Sequence, residues 1–270
     1  MGIFDGVLLA ADVDGTLLNS RSELTAPVRD ALASFTARGG LFTVATGRSF
    51  TGFAALRPSV PLSAPAILSN GAYIYDYAAG RELHAEWLSG PFEAALADIR
   101  ARFPRLGTEL HWPGRVCILD RNRWNDAHMR AVQCEFEEIG DPRQAPPPWL
   151  KLLFVDEPET LLEVAGYAIP RWGQHFSFFF SGKCLLEMQN AGIDKSAGVS
   201  ALADLLPVAK KNVYTAGDAG NDLGMLRAYE SFAPASGTEE ARAAASHVVP
   251  GCDEDAMAAA VAFLEKRYGG

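Results

Sequence analysis

Val7-Leu8-Leu9-Ala10-Ala11 is an unbroken apolar run between Gly6 and Asp12. A short run without polar alternation suits a parallel strand covered on both faces. Thr25 can cap a helix in which Val28, Ala31, Leu32 and Phe35 recur at helical spacing, and Gly39-Gly40 ends it. Leu41 to Thr46 reads as a second strand. Strand, helix and strand within about forty residues form a βαβ unit whose crossover should be right-handed. Ala66-Ile67-Leu68 reads as a third strand. The C-terminal part repeats the logic. Asp194 can cap a helix carrying Val199, Leu202, Ala203 and Leu206; a strand over Asn212–Ala216 ends at Gly217-Asp218. Helices are expected at Leu223–Tyr229, Thr238–Ala245 and Glu254–Lys266, with short strands at Ser231–Ala235 and His247–Val249.

The middle of the chain is patterned differently. Between Gly80 and Asn190, helices are predicted at Pro91–Phe103, Trp124–Glu138 and Glu157–Ile169. Strands are predicted at Glu109–Trp112, Val116–Asp120, Leu150–Val155, His175–Phe180 and Cys184–Met188. The whole predicts an α/β protein: a Rossmann-like, doubly wound parallel sheet formed by 1–80 and 190–270, with 81–189 inserted as a separate α+β domain.

Composition narrows the partners. With 270 residues, 49% of them hydrophobic, the chain can bury a sizeable core. The net charge is −9 and the basic residues form no stripe, which argues against nucleic acid as a partner. The four cysteines are scattered, with no C-x-x-C pair, so they read as reduced thiols in a cytoplasmic protein. The apolar start lacks a basic flank and is cut by Asp12 and Asp14, so it reads as a strand and not a signal peptide. No apolar run is long enough to span a membrane.

The chemistry concentrates where strands end. In an open parallel sheet, ligands bind at the carboxyl ends of the strands. There the sequence places Asp12-Val13-Asp14-Gly15-Thr16, Thr46-Gly47-Arg48, Ser69-Asn70-Gly71 and Gly217-Asp218-Ala219-Gly220-Asn221-Asp222. Any one of these alone could be a loop or a helix cap; four together are rich in phosphate and metal ligands. Cleaving a phosphate monoester requires neutralising a dianion, supplying a nucleophile and protonating an alkoxide. A carboxylate such as Asp12 can attack phosphorus when a cation accompanies it, and a second one two residues on, Asp14, can act as acid and then as base. The charges of Asp12, Asp14, Asp218 and Asp222 are balanced by one magnesium ion with Lys195 and Arg48, and hard oxygen ligands suit magnesium.

Asp12-Val13-Asp14-Gly15-Thr16-Leu17, Thr46-Gly47-Arg48, Lys195 and Gly217-Asp218-x-x-Asn221-Asp222 resemble, in order, the four motifs of the haloacid dehalogenase superfamily. Ala45-Thr46-Gly47-Arg48, Ser69-Asn70-Gly71-Ala72 and the long insertion before Lys195 are similar to its Cof-type hydrolases with a C2 cap. The resemblance implies that Asp12 is the nucleophile and a Mg2+ ligand. It makes Asp14 the general acid/base, with its carbonyl on the metal, while Thr46 binds phosphoryl oxygens, Lys195 offsets their charge, and Asp218 and Asp222 bind metal. Gly15, Gly47, Arg48, Asn70 and Asn221 become substrate contacts. Three positions depart from the usual pattern: Ser196 and Ala219 stand where relatives carry Gly, and Ala235-Ser236 where they carry Asn-Ala.

The expected activity is Mg-dependent hydrolysis of a small phosphorylated metabolite, a sugar phosphate or similar, through an aspartyl-phosphate, by a monomer or small homo-oligomer. A phosphomutase and a non-catalytic phosphate- or metal-binding protein remain as alternatives. In the insert, His111, Trp112, Arg115, Lys151 and Lys183 are candidates for lining a cleft, against the plainer expectation of solvated or core side chains. His84, His128, His175 and His247 read as structural or surface residues.

Overall fold

The apolar runs without alternation form buried strands, parallel in the sheet built around the N-terminal run. In the computed structural model, which describes residues 2–132 and 134–269, the N-terminal run becomes β1 (Leu8–Ala11), buried throughout. Next is α1 (Ala26–Ala37), capped by the Thr25 hydroxyl, with Val28, Leu32 and Phe35 as its buried stripe. The chain continues through β2 (Leu41–Val44), the short α2 (Phe50–Ala54), β3 (Ala66–Leu68), β4 (Tyr73–Asp76) and β5 (Arg81–Ala85). Next come α3 (Phe92–Arg102), β6 (Gly107–Trp112), β7 (Arg115–Leu119), α4 (Arg123–Val132), β8 (Glu137–Ile139), β9 (Lys151–Val155), α5 (Pro158–Trp172), β10 (Phe176–Gly182) and β11 (Leu185–Asn190). The last elements are α6 (Lys195–Leu205), β12 (Val213–Ala216), α7 (Leu223–Ala228), β13 (Glu230–Pro234), α8 (Glu239–Ala244), β14 (His247–Val249) and α9 (Ala256–Tyr268).

The chain divides into two compact units. The first comprises residues up to Gly47, Leu56–His84 and everything from Asp194 on. Among the described residues its main sheet runs β14-β13-β12-β1-β2. All of its pairings are parallel, with Leu8 of β1 opposite Val213 on one side and Leu41 on the other. Leu8 and Ala10 pack with Val199 and Leu202 of α6 and Met225 of α7. Leu9, also buried, takes the opposite face by strand alternation. The third predicted strand only touches this sheet, through an Ala45–Ile67 bridge, and instead begins a separate sheet β3-β4-β5. Neither β4 nor β5 is among the predicted strands: Tyr73–Asp76 offers only three strand-forming residues directly after a turn, and Arg81–Ala85 is too mixed in polarity.

The second unit comprises Arg48–Ala55 and Ala85–Ile193. Its sheet runs β10-β11-β9-β6-β7-β8, antiparallel except for the β7–β8 pair. One face, with Leu110, Leu152, Phe154, Leu186 and Met188, packs on Leu96 and Ile99 of α3 and Leu161 and Val164 of α5. On the other, Val116 and Ile118 meet Met129 of α4. The helix expected over Trp124–Glu138 is described only to Val132; Gln133 lies outside the described residues, and Glu137–Ile139 is an edge strand. Pairing with β7 there overrides the helical preference of the glutamates.

Candidate active site

At the end of β1 the chain turns at once. The Asp12 N–H donates to the Ala216 carbonyl of β12 at 2.8 Å, the last rung between these strands. The Leu17 amide then donates to the carbonyls of Asp12 and Val13, and the Leu18 amide to that of Val13, closing a tight loop over 12–18. Asp12 is buried while Asp14 is exposed at the tip. Gly15 has φ +83°, and a Cβ there would come within 2.6 Å of Asp218 Oδ2. Only glycine combines that conformation with that clearance.

Lys195, the first residue of α6, is fully buried and donates from Nζ to Asp12 Oδ1 and to Asp222 Oδ1, both at 2.6 Å. Its position follows from the Asp194 cap, whose carboxylate accepts from the Ala197 amide at 2.8 Å. The other oxygen of Asp222 accepts from the Asp218 and Ala219 amides at 2.9 and 3.0 Å. Asp218 Oδ1 accepts from the Thr16 hydroxyl at 3.1 Å. The Thr16 side chain is thus a part of the site that sequence reading missed, although it lies inside the first motif.

Thr46 and Gly47 follow β2. The Thr46 amide donates to the Ile67 carbonyl at 3.0 Å and its carbonyl accepts from the Asn70 amide at 2.9 Å. Asn70 is buried, and its Oδ1 accepts from Asn221 Nδ2 at 3.2 Å. A Cβ on Gly47 would sit 3.0 Å from Asn70 Nδ2, so the absence of a side chain lets the amide lie against the loop. The structure therefore brings Asp12, Gly15, Lys195, Asp218 and Asp222 into one cluster, with Thr46, Gly47, Asn70 and Asn221 as a second hydrogen-bonded group in the same unit. Arg48 belongs to the other unit, where its Nη1 donates to the Gly52 carbonyl at 3.3 Å.

The electrostatics are those of a cluster short of positive charge. Asp12, Asp218 and Asp222 each offer an oxygen within 4.8 Å of the others. Burial, joined by repulsion from Asp222 and Asp218, pushes the Asp12 carboxyl well above the usual range even though Lys195 pulls it down. Asp218 is raised for the same reasons, burial first and then Asp222. Burial alone would lower the Lys195 ammonium, but Asp12 and Asp222 hold it above its ordinary value. Three carboxylates around one ammonium, all hard oxygen donors, fit a divalent cation such as Mg2+, whose charge would keep Asp12 ionised.

In the second unit, His111, Trp112, Arg115, His128 and Lys151 have partners of their own. His111 Nε2 and His128 Nδ1 both bond the buried carboxylate of Glu109, and Lys151 Nζ donates to Glu187 at 2.7 Å. Arg115 pairs with Glu137 at 2.7 Å and lies over the Trp112 ring. In the first unit, His247 bonds Glu230 at 3.0 Å. Glu109 and Glu187 drew no attention in the sequence. The one available signal was for Glu187, which stands between apolar residues in Leu186-Glu187-Met188.

Known proteins resemble this chain along most of its length. A family model described as haloacid dehalogenase-like hydrolase matches residues 9–261. The chain is 27% identical over 241 residues to a phosphoglycolate phosphatase of Natronomonas pharaonis, covering 89% of each protein. It is 25% identical over 279 residues to the 5-amino-6-(5-phospho-D-ribitylamino)uracil phosphatase YwtE of Bacillus subtilis, covering 93% of this chain and 95% of that one. Among solved structures, a haloacid dehalogenase-like hydrolase from Bacteroides thetaiotaomicron superposes with a TM-score of 0.85 at 22% identity, covering 97% of this chain and 99% of that one.

Proposed function

Because the chain belongs to the haloacid dehalogenase-like hydrolases and is a phosphatase, we propose that it hydrolyses a small phosphorylated metabolite through an aspartyl-phosphate on Asp12, with Mg2+ as cofactor. The carrying observation is that one buried ammonium, Lys195 Nζ, lies 2.6 Å from both Asp12 and Asp222, while Asp14 stands exposed at the tip of the same loop. An Asp12 oxygen forms a bond to phosphorus as the bond from phosphorus to the leaving oxygen breaks. Asp14 gives that oxygen its proton. Water then attacks the phosphoryl group, Asp14 takes the proton back, and inorganic phosphate departs as Asp12 is restored.

Asp12, Asp218, Asp222 and the Asp14 carbonyl would hold Mg2+, which when bound supplies positive charge to the phosphoryl oxygens and the nucleophile. Lys195 adds a fixed charge on the protein side. Thr46, Gly15 and Gly47 are assigned to the phosphoryl group and Arg48 to the substrate. The substrate class is small because the relatives act on small phosphates, one of them the phosphate ester of a ribityl chain. The inserted unit is proposed as the specificity element, since it interrupts the chain one residue before Asp194-Lys195. Four free thiols suit a reducing, cytoplasmic compartment.

The test is phosphate release across a panel of phosphorylated metabolites with Mg2+ present. Asp12→Asn should abolish turnover with the circular dichroism spectrum unchanged; more than a trace of wild-type activity would refute the nucleophile. EDTA should inactivate and Mg2+ restore, whereas Ca2+, with looser and higher coordination, should not. Full turnover in EDTA would remove the metal from the mechanism.

A further inference from the structure

Thr46, Asp222 and Lys195 sit on three separate segments, and one short turn touches Thr46 together with Asn221 and Asp194, the residues before the other two. Ser69, Asn70 and Gly71 have φ of 50°, 52° and 97°, so three successive residues are left-handed. Such backbone is rare outside glycine, and asparagine is among the residues that tolerate it. The Asn70 amide holds the Thr46 carbonyl at 2.9 Å, while the Thr46 amide is held by Ile67, so residue 46 is pinned from both sides. The Asn70 Oδ1 accepts from Asn221, the residue before Asp222. Gly71 presses on the start of α6: a Cβ there would lie 2.1 Å from the Asp194 carbonyl oxygen, and one on Gly198 would lie 2.6 Å from Gly71 Cα.

We propose that Asn70 is a positioning residue, and not the substrate contact expected from the sequence: through Asn221 it fixes the 218–222 loop that carries Asp218 and Asp222. The turn demands a residue that accepts the left-handed conformation, and the asparagine pair demands a short side chain with an oxygen acceptor. Glycine meets the first demand alone. A longer side chain meets neither, because the amide of Asn70 already lies against Gly47. Loss of the acceptor frees the Asn221 amide, and with it the loop in which Asp222 accepts from the Asp218 and Ala219 amides. The effect falls on the metal and not on the substrate. The inference rests on the proposed function for what the loop holds.

The full chain, as wild type, Asn70→Gly, Asn221→Ala and the double variant, is titrated with Mg2+ alone by calorimetry. Each single variant should weaken the Mg2+ dissociation constant by about tenfold, the order expected when a group supporting metal ligands is lost. The double variant should be no weaker than either single one, because the two side chains act as a pair. Kinetics with p-nitrophenyl phosphate at saturating Mg2+ should leave KM within about twofold. Asn70→Gly keeps the backbone conformation, and Asn221→Ala carries the test by itself if the first variant fails to fold. Wild-type Mg2+ affinity in Asn221→Ala, additive losses, or a raised KM with unchanged metal affinity would each overturn the proposal. A wild type that binds Mg2+ with this coupling but releases no phosphate would overturn the proposed function and leave the positioning role standing.

Discussion

Lys195 shares one buried ammonium between two buried carboxylates. Removing one partner of a buried charge group leaves the others uncompensated, at a cost of about 3–5 kcal/mol. Lys195→Met should therefore lower stability by that order in urea melts without divalent ions, and added Mg2+ should recover part of it. Stability equal to wild type in EDTA would show that the cluster is not held by this cation. Asp14, exposed on its loop, predicts a different signature. Asp14→Asn should lower kcat by about 10²–10⁴ on alkyl phosphates and by much less on p-nitrophenyl phosphate, whose leaving group needs little protonation. Equal losses on both would exclude Asp14 as the acid. Most members of the site were legible in the sequence because each ends an apolar strand or opens a helix, so local pattern alone marks where it lies. The Asn70–Asn221 bond was not: its partners are 151 residues apart, and nothing in either segment names the other.

Single elements show where local reading stops. The loop after β1 requires glycine at 15 for both conformation and clearance, so Gly15→Ala should displace Asp218 and raise the Mg2+ concentration needed for half-maximal rate. In α6, a methyl on Gly198 would lie 2.5 Å from Ile67 Cγ2. Gly198→Ala should lose about 1–3 kcal/mol by overpacking, despite the better helix propensity of alanine. A gain in melting temperature would mean that β3 and α6 can separate without cost. In the second unit, β6 carries Glu109, whose carboxyl is driven up by burial but held at about 2, against an ordinary 4.5, by His111 and His128. Burial likewise keeps the His111 imidazole below its ordinary 6.5. Both folded values are depressed, so both contributions are complete at neutral pH. That of His111 is lost as pH falls below 6.5, and that of Glu109 between about 4.5 and 2. Acid titration followed by hydrogen exchange in β6 and β9 should show this unit loosening across that range, and Glu109→Gln should flatten the dependence below pH 4.5. The helices and strands of this unit were read with fair success because its strands are short apolar runs and its helices carry an apolar stripe. The polar face was not, since a buried carboxylate between two histidines looks in sequence like an exposed one.

At the scale of the molecule, the residues to which the proposal gives metal and phosphoryl roles are concentrated in one unit. Asp12, Asp14, Thr46, Lys195, Asp218 and Asp222 all belong to it, and Arg48 alone groups with the inserted residues. Binding to the native state suppresses every opening that releases the ligand and leaves local openings that retain it unchanged. Mg2+ should therefore protect amides around β1 and β12 against hydrogen exchange and leave β9 and β11 unchanged; uniform protection would contradict that assignment. The doubly wound core was readable in outline from its two βαβ halves, but the order of its sheet was not, because the pairing of β1 joins the ends of the chain.

That pairing also dictates a history. Leu8 lies beside Val213, about two hundred positions along, and between them stands a unit whose own strands are near neighbours in the chain. Distant pairings pay their loop-closure entropy late, and a polypeptide emerging from a ribosome folds what it already has. The inserted unit, continuous from Ala85 to Ile193 apart from one short segment, can organise while β1 still lacks one of its two flanking strands. Through that interval β1 waits with one edge unpaired and the carboxylate at its tip without Lys195, so a nascent chain held short of Val213–Ala216 is expected to aggregate more than the full chain.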